Sequence, residues 1–125
     1  MRHLLYLMFR CDEKFKIRGS FLELNTADVD GLDRIRSLTT LSLLDSSYIG
    51  QQLFFYAGSF AALKRLDLVG LPNLQVVKFR ETAIRRIRQL IVKSCTLRLF
   101  VRKDLLERLW VFRTDDSAVK VEETE

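Results

Sequence analysis

Trp110 and Phe112 stand two residues apart with Arg108 just before them, and Tyr6 and Arg65 add the same residue types elsewhere in the chain. Tyrosine, tryptophan and arginine dominate binding hot spots, because each joins a large contact surface to a directional polar group. The chemistry they offer is recognition. Groups suited to bond-making are sparse: His3 is the single histidine, and neither Cys11 nor Cys95 has a histidine base near it in sequence. No two acidic residues stand out as an acid–base pair. The sequence therefore predicts a non-enzyme, with no catalytic residues, no cofactor and no metal.

A recurrent apolar spacing predicts the elements that hold these residues. Leu38, Leu41 and Leu43 occupy relative positions 0, 3 and 5; Leu63, Leu66 and Leu68 repeat them 25 residues on, and Ile87, Leu90 and Val92 after a further 24. Cys95 adds position 8, where a buried thiol serves as a small hydrophobe. This is the leucine-rich-repeat pattern, whose period is about 20–29 residues. The predicted fold is an α/β solenoid: a short leucine-rich-repeat horseshoe with a parallel concave β-sheet and an irregular or short helical convex side. Leu4, Leu7 and Phe9 fit the spacing and predict a first strand in Met1–Arg10. Leu106, Leu109 and Val111 give a last match, 19 residues after Ile87.

Residues 11–37 are less regular. Phe15 to Arg18 alternates as a strand does, and Leu24, Ala27 and Val29 match the spacing weakly. Leu32 and Ile35 are assigned to the back side leading to Leu38. Leu53-Phe54-Phe55 is read as the convex return, Val76–Phe79 as a short outer strand and Thr96–Val101 as extended. The expected organisation is one repeat domain over 1–113, with four to six repeats, and an acidic, disordered tail over 114–125.

Alternate side chains of a strand point to opposite faces. With positions 0, 3 and 5 inside, positions 2, 4 and 6 form the concave binding face: Tyr6, Met8 and Arg10, then Thr40, Ser42 and Leu44. Arg65, Asp67 and Val69 follow, then Gln89, Ile91 and Lys93, and finally Arg108, Trp110 and Phe112. Trp110 and Phe112, beside Arg65 and Arg108, either form a contact patch or cap the open end of the array. Five strands spaced ~4.8 Å apart span only about 20 Å.

The net charge of +5 is unevenly distributed. Ten basic residues against three acids lie between Arg80 and Arg113, while 114–125 carries five acids and one lysine. Such a patch steers acidic partners or polyanions. Nucleic acid is disfavoured, because base-stacking aromatics do not interleave the arginines. No apolar run reaches the ~18 residues of a membrane helix. The opening Met1–Phe9 loosely mimics a signal peptide, yet Arg10 interrupts it and no small-residue cleavage site follows. Two cysteines 84 residues apart do not make a disulfide scaffold, so a cytoplasmic location is expected.

One segment carries a family likeness. Tyr48-Ile49-Gly50-Gln51-Gln52-Leu53-Phe54-Phe55 precedes Gly58-Ser59-Phe60-Ala61-Ala62-Leu63-Lys64-Arg65-Leu66-Asp67-Leu68, and Glu81 to Cys95 ends in Leu90-Ile91-Val92-Lys93-Ser94-Cys95. These stretches resemble the C-terminal leucine-rich repeats of plant coiled-coil-type nucleotide-binding (NLR) disease-resistance proteins, which read Y-x-G-x-x-L-x-F and then G-x-F-P-x-L-K-x-L-x-L. Ala61 replaces that proline, and Thr82-Ala83-Ile84-Arg85 replaces a Gly-Ala-Met-Pro turn. The chain contains no G-x-x-x-x-G-K-[ST] phosphate loop. The resemblance implies a recognition or autoinhibitory module in plant defense. Its partner would be a protein, pathogen-derived or host, or the nucleotide-binding domain of a related protein. A truncated resistance-gene product without activity of its own and a basic polyanion-binding protein are the alternatives.

Overall fold

A computed structural model describes residues 14–19, 24–114 and 119–124 of the 125. The elements run β1 (Lys14–Arg18), α1 (Thr26–Leu32), β2 (Thr40–Leu44), β3 (Gln52–Phe55), β4 (Arg65–Val69) and β5 (Val76–Phe79). They continue as β6 (Gln89–Lys93), β7 (Leu97–Arg102), α2 (Lys103–Arg108), β8 (Val111–Thr114) and β9 (Val119–Thr124). One sheet has the order β1-β2-β4-β6-β8 and the other β3-β5-β7-β9. All the pairings are parallel. From β2 onward the chain visits the two sheets in turn. Mostly parallel strands in two sheets, with few helices, are compatible with the α/β class.

Register carries the apolar spacing into the core. Phe15, Leu41, Leu66, Leu90 and Phe112 form one column across the first sheet. Ile17, Leu43, Leu68, Val92 and Thr114 form the next. The second sheet answers with Leu53, Val77 and Leu99, and one hydrophobic cluster joins both sheets. Phe55 stacks on Phe79 at 5.0 Å between centroids and receives the edge of Phe60 at 5.6 Å. Burying each such side chain contributes about 1.5–3 kcal/mol.

Tight turns keep the strands in step. Asp45, Gly70 and Ser94 each follow a strand of the first sheet with φ of 50°, 67° and 54°. Their backbones link up, with Asp45 N–H donating to Val69 O at 2.8 Å and Gly70 N–H to Lys93 O at 2.9 Å. Gly19 opens the series, where a Cβ would fall 2.2 Å from Asp45 O. Only glycine fits there. α1 begins with a capping box in which Asn25 and Asp28 each accept the other's backbone N–H, at 3.0 and 2.9 Å.

Several expectations meet the structure here. The strands expected at Phe15–Arg18, Val76–Phe79 and Thr96–Val101 correspond to β1, β5 and β7, and Cys95 is buried. The strand expected in Met1–Arg10 lies outside the described residues. Ala27 and Val29 are helical, in α1, while Leu24 makes an isolated bridge to Tyr48. The convex side, expected to be irregular or short helical apart from the extended stretches at Val76–Phe79 and Thr96–Val101, is a continuous second sheet of β3, β5, β7 and β9. The stretch expected as a disordered tail contains β9, which pairs with β7 from Leu97↔Val119 to Arg102↔Thr124.

The last match is shifted by three residues. Leu109 N–H bonds to Leu106 O at 3.2 Å, as Leu63 does to Phe60 and Ile87 to Ile84. Leu109 therefore corresponds to Leu63 and Ile87, and Phe112 to Leu66 and Leu90. Leu106 belongs to α2.

Candidate binding face

Two rows of residues cross the face of the first sheet turned away from the core. Thr40, Arg65 and Gln89 open β2, β4 and β6 in register, and Ser42, Asp67 and Ile91 form the second row. Lys93 continues the face in register with Val69. Seven of the expected residues thus come together. Tyr6 and Met8 lie outside the described residues.

The three from the last predicted strand separate, because the shift of frame reassigns each. Arg108 lies in α2 and donates from Nη1 to Arg85 O at 2.7 Å. Phe112 falls in register with buried Leu90 and so continues the core column, but at the end of the sheet it stays 36% exposed. Trp110 precedes β8 and is 79% exposed. It lies at the rim of the face instead of within a strand.

Asp67 anchors the middle of the face. It is buried, accepts Ser42 Oγ at 2.7 Å, and pairs with Arg65 Nε at 3.0 and 3.1 Å. Enclosing a carboxylate without such partners would be costly. The bridge from Arg65 also neutralises it, leaving the surroundings basic.

At the entry end of the same strands lies a groove of about 520 Å³ lined by Thr39, Thr40, Lys64, Arg65, Arg86, Arg88, Gln89 and Trp110. Among the described residues, four cations and no carboxylate line it. The Arg88 guanidinium carbon sits 5.4 Å from the Trp110 ring centroid, within cation–π range. Among the described residues, Lys64, Arg86 and Arg88 have no ion-pair partner.

Comparison with known proteins adds no relative. No family model matches the chain, and neither does a curated protein or a solved structure.

The strand spacing places Arg65 and Gln89 on this face, whereas Arg86 and Arg88 enter only as part of the basic Arg80–Arg113 stretch and Lys64 has no assigned place. The signal was present: Lys64, Arg88 and Trp110 each follow the first apolar residue of a match, Leu63, Ile87 and Leu109 in the corrected frame. Among the described residues, no three His, Cys, Asp or Glu side chains converge as a metal site. No described helix is long and apolar enough to cross a membrane.

Proposed function

We propose that the chain is a short leucine-rich-repeat solenoid acting as a non-catalytic protein-interaction module, with the outer face of the first sheet as its contact surface. The observation carrying this reading is the aligned set Thr40–Arg65–Gln89 beside Ser42–Asp67–Ile91, bordered by exposed Trp110. Stacked strands are rigid, so such a face is preorganised and spends little entropy on binding. The likeness of Leu38–Cys95 to plant disease-resistance repeats supports a cytoplasmic role in plant defense, recognising a pathogen or host protein or the nucleotide-binding domain of a related chain.

A second reading, polyanion binding, draws on the groove cations Lys64, Arg65, Arg86 and Arg88. It predicts affinity that falls steeply with salt.

The test is affinity capture from plant extract with the tagged chain, an Arg65→Glu/Ile91→Glu variant and a Lys120→Glu variant on the second sheet. A protein retained by the parent chain and Lys120→Glu, but lost from the double variant, supports the reading. Identical captures from all three contradict it.

A further inference from the structure

We infer that the groove at the entry end of the first sheet receives an acidic peptide segment of the partner, with carboxylates on Lys64, Arg86 and Arg88 and an apolar side chain on Trp110. The inference rests on the interaction reading and names the chemistry of what that face binds. The backbone sets the geometry. Lys64 N–H donates to Thr39 O, Arg88 N–H to Lys64 O and Trp110 N–H to Arg88 O, each at 2.8 Å. Thr39, Lys64, Arg88 and Trp110 therefore leave successive rungs about 4.8 Å apart. An extended segment crossing the strands meets cation, cation and indole in turn.

Charge supplies the selectivity. Arg65 is committed to Asp67, whereas Lys64, Arg86 and Arg88 are without a carboxylate among the described residues. Arg88 Nη1 donates to neighbouring backbone, Ile87 O at 3.2 Å and Arg86 O at 3.4 Å. Three cations crowded without counter-charge repel one another, and an incoming carboxylate relieves that repulsion. Trp110 is stacked by Arg88 and otherwise open, the arrangement of a binding anchor. The groove also continues onto Arg65 and Gln89 of the proposed contact face. A nucleic acid strand is the poorer fit, because single-strand binders track the backbone with several stacking aromatics and this groove has one.

Trp110 is the single tryptophan, so its emission reports on the groove directly. The chain is titrated with an oligoglutamate peptide carrying one phenylalanine, and separately with an oligothymidylate, at one fixed salt concentration. The peptide is expected to give a saturable change. Arg88→Gln and Lys64→Gln each weaken it by about tenfold. Arg98→Gln, which removes one charge from the second sheet, leaves it unchanged. Circular dichroism checks that each variant is folded, and the two groove variants stand in for one another. Absence of peptide binding overturns the inference, as does equal weakening by Arg98→Gln or tighter binding of the oligothymidylate. Peptide failure with face-dependent protein capture intact rejects this inference alone; failure of both rejects the interaction reading.

Discussion

Ser42 Oγ donates to Asp67 Oδ2 at 2.7 Å across neighbouring strands, while Arg65 Nε closes on the same carboxylate. The two partners hold an enclosed charge at the centre of the proposed face. Ser42→Ala is expected to cost about 2 kcal/mol, the usual loss for a hydrogen bond to a charged group. Urea unfolding of Ser42→Ala, Asp67→Ala and the double variant should reveal a coupling of about 1–2 kcal/mol. Simple additivity would show that the pair is independent.

Two glycines should respond in opposite directions to the same change. At Gly19 an added Cβ falls 2.2 Å from Asp45 O and 2.8 Å from Ser46 C, both backbone atoms that cannot swing aside. Gly19→Ala should destabilise by about 2 kcal/mol or more. At Gly31, in α1, a Cβ meets nothing within 4 Å. Gly31→Ala should stabilise by about 0.5–1 kcal/mol through lower chain entropy and better helix propensity. Urea midpoints of the two variants check the pair.

The sequence located what depends on alternation. Leu41, Leu43, Leu66, Leu68, Leu90 and Val92 face the core where the spacing placed them. The last repeat is ambiguous in sequence because Leu106 and Leu109 are themselves three apart, so the first step of the spacing is satisfied in two frames. Backbone bonding selects the later frame, which the residue types alone do not reveal. β9 was hidden by its charge: Glu122 and Glu123 suggested a solvated tail, while Val119 and Val121 align on Leu97 and Leu99. The groove is hidden from the apolar spacing for another reason. Strand alternation assigns faces within strands, but Lys64, Arg88 and Trp110 stand just before them, where only the neighbouring rung fixes their place.

Acidity should bear on α1. Burial, and then repulsion from Asp33, hold the Asp30 carboxyl above its ordinary value of 3.8. The folded chain thus keeps this proton more tightly than the unfolded chain does. The resulting stabilisation is complete below pH 3.8 and disappears as pH rises through the raised folded value. Asp30→Asn should therefore raise the melting temperature slightly at neutral pH and lose that advantage in acid. Thermal melts of both proteins across pH measure the difference.

Tyr48 ties the start of α1 to β3. Its buried hydroxyl donates to Gln52 O at 2.6 Å and lies 2.9 Å from Thr26 Oγ1. Tyr48→Phe keeps the ring and removes both links, at an expected cost of about 1–2 kcal/mol. Urea unfolding reads the loss, and hydrogen exchange should show it concentrated in α1.

In the proposed function, the outer face of the first sheet touches a protein partner. Site-specific photo-crosslinking tests it most directly, with a photoreactive residue at Gln89 on that face or at Lys120 on the second sheet. Covalent adducts to a discrete protein are expected from Gln89 and none from Lys120. Adducts from Lys120 alone, or equal adducts from both positions, would contradict it.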